Sequence, residues 1–217
     1  MKFTTLARRA AKDTLEAEDL IAFVQEHGAE GGEEIERLRI LHGWPDDGLL
    51  GDGSRVVPFG GWAKACTAWG RQGVEGLRDM LGDPQLAVFA LGTLADVSGP
   101  AAIAILLDFA ERADWSRAGT PRDLPCQALY CLNTALSGKT GVEVTPGMQA
   151  SMLRIAKLIW DARVPNVHFL AQALYFVRRA DPVPALAWVE QLRVDDPVLV
   201  DAQRSVLKRL KEHAARD

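Results

Sequence analysis

Apolar residues along this chain recur at the three- and four-residue spacing of helices, and no convincing alternating strand interrupts them. Over residues 13–27, Leu15, Leu20, Ile21 and Val24 fall near one face with acids on the other, which predicts an amphipathic helix. His27-Gly28 is its expected stop, because glycine accepts the left-handed conformation at a helix end. Glu33 to His42 predicts a second, short helix built on Ile35, Leu38 and Leu41. Gly43-Trp44-Pro45-Asp46-Asp47-Gly48, followed by Gly51, Gly53 and Pro58, predicts a long loop. From Pro58 onward the pattern is almost entirely helical. Arg55–Val57 and Val142–Val144 are too short to build a sheet, so the fold class expected is all-α.

Internal repetition adds the most information. Phe89-Ala90-Leu91-Gly92-Thr93-Leu94-Ala95 recurs as Gln127-Ala128-Leu129-Tyr130-Cys131-Leu132-Asn133 and again as Gln172-Ala173-Leu174-Tyr175-Phe176-Val177-Arg178. Gln-Ala-Leu-Tyr is identical in the last two. A second helix is expected after each copy: Pro100–Ala113, Thr145–Ala162 and Pro184–Leu192. Proline suits the first turn of such helices, where its missing N–H is not needed. Asp83-Pro84, Asp181-Pro182 and Asp196-Pro197 mark the joins, and Ser137–Gly147 reads as a loop inside a repeat. Trp62–Gly82 reads as a truncated earlier copy. A terminal helix, Val198–His213, carries an apolar stripe of Val198, Ala202, Val206 and Leu210, with Arg204, Lys208, Arg209 and Lys211 on its other faces, as a cap requires. One such pair cannot bury its apolar face alone; stacking makes the core continuous.

The run from Gly82 through Asp83-Pro84, Ala90-Leu91-Gly92 and Leu94, then Pro100 to Phe109, resembles a HEAT repeat: an Asp-Pro turn, an alanine-leucine-glycine helix and a leucine-rich second helix. The resemblance covers roughly residues 60–213. It departs from the pattern where Leu86 and Ala87 stand in place of the usual arginine after the turn, and in its irregular repeat lengths. It implies a right-handed alpha-solenoid of antiparallel helix pairs over residues 58–217, preceded by an N-terminal helical pair and loop over residues 1–57. It also implies a binding scaffold whose second helices line the concave surface. Their polar positions form the expected partner-binding strip: Asp108, Glu111 and Arg112, then Arg154, Lys157 and Asp161, then Glu190 and Arg193.

Charge refines the kind of partner. The 217 residues carry 25 basic and 29 acidic side chains, a formal net charge of −4, which argues against a nucleic-acid coat over the whole chain. The distribution is uneven: residues 1–60 hold 12 acids and 7 bases, whereas residues 151–217 hold 8 acids and 11 bases. Six tryptophans are present. Trp62 and Trp69 share a helix face and read as core, as do Trp160 and Trp188. Trp115, beside Arg112, Asp114 and Arg117, reads as a surface contact residue, because tryptophan and arginine dominate binding hot spots.

Little reactive chemistry is written in the chain. Three cysteines, with no Cys-x-x-Cys, suit buried free thiols in a reducing compartment and no zinc site. Asp46, Asp47 and Asp52 lack calcium-loop spacing, and Gly48, Gly51 and Gly53 form no phosphate loop. His27, His42, His168 and His213 are scattered and read as structural. Ser98, Ser137 and Ser151 sit in no nucleophile elbow. No cofactor or metal is expected. Neither a secretory signal nor a spanning segment is visible, and the longest apolar run, Ala101–Leu107, is far below the ~20 residues a membrane helix needs. A cytoplasmic location is expected.

The leading expectation is therefore a non-catalytic protein–protein interaction module, of bacterial character, acting as a regulatory or assembly protein or as an immunity protein that occludes a toxin. The alternative is a DNA glycosylase acting on alkylated bases, since some of those enzymes resemble HEAT repeats. Asp114-Trp115 near Arg112 and Arg117 motivates it, and net acidity opposes it.

Overall fold

The computed structural model describes residues 1–46, 59–97, 99–120, 122–136 and 142–215. Among them every regular element is helical, as the spacing predicts. Contacts divide the chain into two compact units, Met1–Val97 and Ser98–Asp217. The division falls after Val97, not after residue 57, because the helices expected to form a separate N-terminal pair bury their apolar faces against the segment that follows. The long loop lies outside the described residues from 47 to 58, with Asp47, Gly48, Gly51, Asp52, Gly53 and Pro58. Ser98 and residues 137–141 of the expected intra-repeat loop lie outside them too.

The first unit holds α1 (Phe3–Ala10), α2 (Ala17–His42), α3 (Phe59–Gln72), α4 (Val74–Met80) and α5 (Ala87–Val97). The apolar spacing leaves α1 unpredicted. Only Leu6 and Ala10 of its eight residues are buried, and a helix this short is held by packing, not by propensity. Helix α2 starts with a reciprocal cap between Glu16 and Asp19. It runs through the two segments expected as separate helices. The break is real but local: Gly28 takes φ 57° and ψ −132°, and helical geometry then resumes before the expected second start. Leu41, expected on the apolar face, is 64% exposed, while Ile35 and Leu38 are buried.

Helices α2 and α3 meet backbone to backbone. A Cβ on Gly70 would lie 3.0 Å from the Gly28 carbonyl oxygen and 3.2 Å from the Gly32 Cα. The Thr67 hydroxyl uses this proximity to donate to the Gly32 carbonyl at 3.1 Å. Leu6, Leu20, Phe23, Ile35, Leu38 and Cys66 form the core beside the crossing. Trp62 and Trp69 are half-buried against it, and Trp62 packs edge-on to Phe89 with centroids 5.6 Å apart.

The second unit holds α6 (Pro100–Arg112), α7 (Leu124–Ala135), α8 (Pro146–Asp161), α9 (Val167–Phe176), α10 (Pro182–Gln191) and α11 (Pro197–Ala214). Single 3-10 turns lie at Trp115–Arg117 and Val177–Arg179. Local sequence starts these helices. Thr145, Asn166, Asp181 and Asp196 each accept a hydrogen bond from a backbone N–H in the first turn, and α6, α7, α8, α10 and α11 carry proline at the first or second position. Helix α6 packs on α7 and α8, α8 on α9, α9 on α7 and α11, and α10 on α11. The two helices that share Gln-Ala-Leu-Tyr, α7 and α9, thus touch each other, with Ala128 and Ala173 buried. So do the leucine-rich α6 and its counterpart α8.

Candidate functional site

Two surfaces of the second unit carry the polar groups that matter. The first is the expected strip. Asp108, Glu111, Thr145, Met148 and Ser151 line an open groove of about 400 Å³ between α6 and α8. Arg154 on α8 crosses to Glu111 on α6 at 2.7 Å and also bonds the Ser151 hydroxyl at 2.9 Å. Arg112 pairs with Asp108 on its own helix. Lys157 and Asp161 extend the face on α8 and are exposed. Farther along the chain, Glu190 on α10 pairs with Lys211 on α11 at 3.0 Å, and Arg193 is exposed just beyond α10. The α6 and α8 members of the strip come together; Glu190 is drawn instead to the last helix.

Trp115 does not join them. It is 3% exposed, its indole N–H donates to the Ala110 carbonyl at 3.0 Å, and its ring lies 6.0 Å from that of Phe169. The surface role expected for Trp115 is therefore corrected to a core role: the side chain and its one donor are already satisfied inside the unit. Asp114 beside it accepts from the backbone N–H and hydroxyl of Ser116, capping the 3-10 turn. The Asp114-Trp115 pair that motivates the glycosylase comparison is thus engaged in local structure.

The second surface is a cleft of about 550 Å³ that the spacing of motifs does not announce. Its walls come from Asn133 on α7, from Leu136 just after that helix, and from Gln172, Tyr175 and Phe176 on α9. The 3-10 turn that ends α9 contributes Arg178 and Arg179, and α11 contributes Arg209 and His213. Among the described lining residues there is no carboxylate. Arg178 donates from Nε to the Tyr175 carbonyl at 3.1 Å, with its guanidinium 4.8 Å from the Tyr175 ring centroid. Burial lowers its pKa, and the neighbouring Arg209 and Arg179 charges lower it further, against an opposing effect of Tyr175. Among the described residues, Arg209 has one distant acidic neighbour, Glu212 at 3.9 Å, and the buried side-chain nitrogen of Asn133 has no acceptor.

The sequence pattern assigns these residues other roles: Arg178 ends a repeat copy, Arg209 lies on a polar face of the capping helix and His213 reads as structural. The available signal was the basic excess over residues 151–217; what concentrates it is the packing of α9 and its 3-10 turn against α11.

Several other titratable groups are engaged within the fold. The Cys66 thiol is pushed up to about 12 by burial and then by Asp96. Cys126 is pushed up to about 11 by burial and then by Asp123. Both shifts disfavour the thiolate, the reactive form of cysteine. Asp123 is held below the usual carboxylate range by backbone N–H donors from Thr120 and Gly119. His27 lies 2.8 Å from the Met1 carbonyl and packs on Phe3 and Phe23. Asp46 pairs with Lys64 at 2.5 Å. Among the described residues no three His, Cys, Asp or Glu side chains group as metal ligands do, and no helix is long and apolar enough to cross a membrane. No family model matches this chain, and no curated protein and no solved structure matches it either.

Proposed function

We propose that this chain is a non-catalytic helical interaction module that engages a protein partner with the face formed by α6 and α8. The observation that carries the reading is the groove between those helices, bridged by the Arg154–Glu111 pair and flanked by exposed side chains of both signs. A mixed face selects a partner by charge complementarity rather than by net attraction to a polyanion. The contact of α6 with α8 and of α7 with α9 supports a HEAT-like stacking of helix pairs in this unit, in which a right-handed solenoid presents its second helices to a partner. A regulatory, assembly or immunity role in a bacterial cytoplasm fits a module of this size, and its partner's activity would define the role.

The test is affinity capture from native host lysate with the tagged chain and with an Arg154→Glu/Lys157→Glu variant. A protein recovered in stoichiometric amount by the wild type and lost with the variant supports the reading. Equal recovery by both chains removes the α6–α8 face from it. Recovery of no protein by the wild type counts against an interaction module.

A further inference from the structure

The cleft between α7, α9 and α11 is not explained by a role for the α6–α8 face. We propose that it binds a small organic phosphate carrying more than one negative charge, with the phosphate groups held by Arg178, Arg179, Arg209 and His213 and the uncharged body resting on Leu136, Tyr175 and Phe176.

Four observations lead there. Three guanidiniums and an imidazole share one concavity with no described carboxylate in its lining. Like charges gathered without counter-charge repel one another, and a fold keeps such an arrangement at a stability cost that a bound anion removes. Among the described residues the Arg179 side chain has no ion pair or hydrogen bond, and Arg209 has an ion-pair contact with Glu212 alone, 3.9 Å away. Their donors are therefore available to a ligand. By contrast, Arg37, Arg39 and Arg71 of the first unit each hold a glutamate through two hydrogen bonds.

Size and lining set the class of ligand. About 550 Å³ lies within the range of pockets that enclose small molecules, and exceeds what a bare phosphate or pyrophosphate fills. The forked donors of arginine match phosphate oxygens in pairs. Arg178 is already fixed by its bond to the Tyr175 carbonyl and by the ring beneath it, so one donor group is oriented before a ligand arrives.

The experiment is calorimetric titration of the full chain with ATP, inorganic pyrophosphate, citrate and a 20-nucleotide single-stranded DNA. ATP is the probe for a phosphate group on an organic body, and citrate supplies comparable charge as carboxylates. ATP binding tighter than pyrophosphate, with citrate weaker than both, supports the proposal. The affinity for ATP should fall about tenfold or more in Arg179→Gln and in Arg209→Gln, the loss expected when a charge-assisted bond is removed. It should stay unchanged in Lys208→Gln, an exposed position of α11 that does not line the cleft. Circular dichroism melts without ligand should place Lys208→Gln at the wild-type midpoint and Arg179→Gln and Arg209→Gln at or slightly above it, since none of the three side chains is buried and the last two each remove one of the mutually repelling charges. Citrate as tight as ATP overturns the phosphate assignment. DNA binding far tighter than ATP replaces the small molecule with a nucleic acid. Equal losses in all three variants reduce the cleft to diffuse surface charge, and no heat with any probe removes the site. Because the cleft and the α6–α8 face use different residues, failure of either leaves the other standing.

Discussion

The two units solve the same problem, holding helices together, in different ways. In Met1–Val97 the helices approach so closely that a single methyl group matters. Gly70 sits on Gly28 and Gly32, and a Cβ at Gly92 would lie 2.5 Å from the Trp62 ring. In Ser98–Asp217 the helices start at proline and at side-chain caps, and they pack through alanine, leucine and isoleucine with conventional spacing. Charge differs between the two concavities as well. Arg37, Arg39 and Arg71 of the first unit are paired with glutamates of α2. In the second unit, Arg178, Arg179 and Arg209 face a cleft with no such partners in its described lining. The difference teaches that close backbone packing goes with a small concavity, about 210 Å³ beside Thr67 and Arg71, whereas the helices of the second unit leave one of about 550 Å³.

The most disruptive way to test this division is Phe23→Ala. The Phe23 ring is fully buried, with Phe3 at 5.0 Å and His27 at 4.5 Å between centroids. Its loss should cost roughly 3–5 kcal/mol. Native-state hydrogen exchange should then lose protection over α1, α2 and α3 while α8 and α9 keep theirs. Equal loss in both units would break the comparison.

A smaller effect belongs to the caps. Asp196 accepts from the Val198 N–H at 2.8 Å at the start of α11. Asp196→Ala should cost about 1 kcal/mol, and Asp196→Ser should restore most of it. Thermal melts of the two variants settle whether the cap or merely the aspartate charge supports the helix.

The smallest effect concerns Asp96, whose pKa is raised by burial and then by the Glu18 charge. A raised folded value means that ionisation destabilises the fold. Below the ordinary value of 3.8 the group is protonated in both states and the penalty is absent; it develops as pH rises through the folded value. Asp96→Asn should therefore be slightly more stable than the wild type at neutral pH, by less than about 0.5 kcal/mol for so exposed a side chain. The gap should close below pH 3.8. A gap that instead widens on acidification would reverse the assignment.

Helix content was legible in this chain because helices are local objects. The apolar periodicity, the Asp-Pro and Thr-Pro starts and the Gln-Ala-Leu-Tyr repeats place α6, α8, α10 and α11 within a few residues of their observed bounds, since a cap and a first-turn proline act on neighbouring backbone groups alone. Gly28 was also legible as a break, but that helix resumes at once was not. Nor was α1, which owes its existence to Leu6 and Ala10 finding α2. Trp115 had the composition of a contact residue and the environment of a core one, because only the fold brings Ala110 and Phe169 to it. The cleft shows the same limit most clearly. Sequence alone determined that the last third of the chain is basic. Tertiary structure decided that Arg178, Arg179, Arg209 and His213 converge, because residues thirty or more positions apart meet only when α11 folds back onto the end of α9.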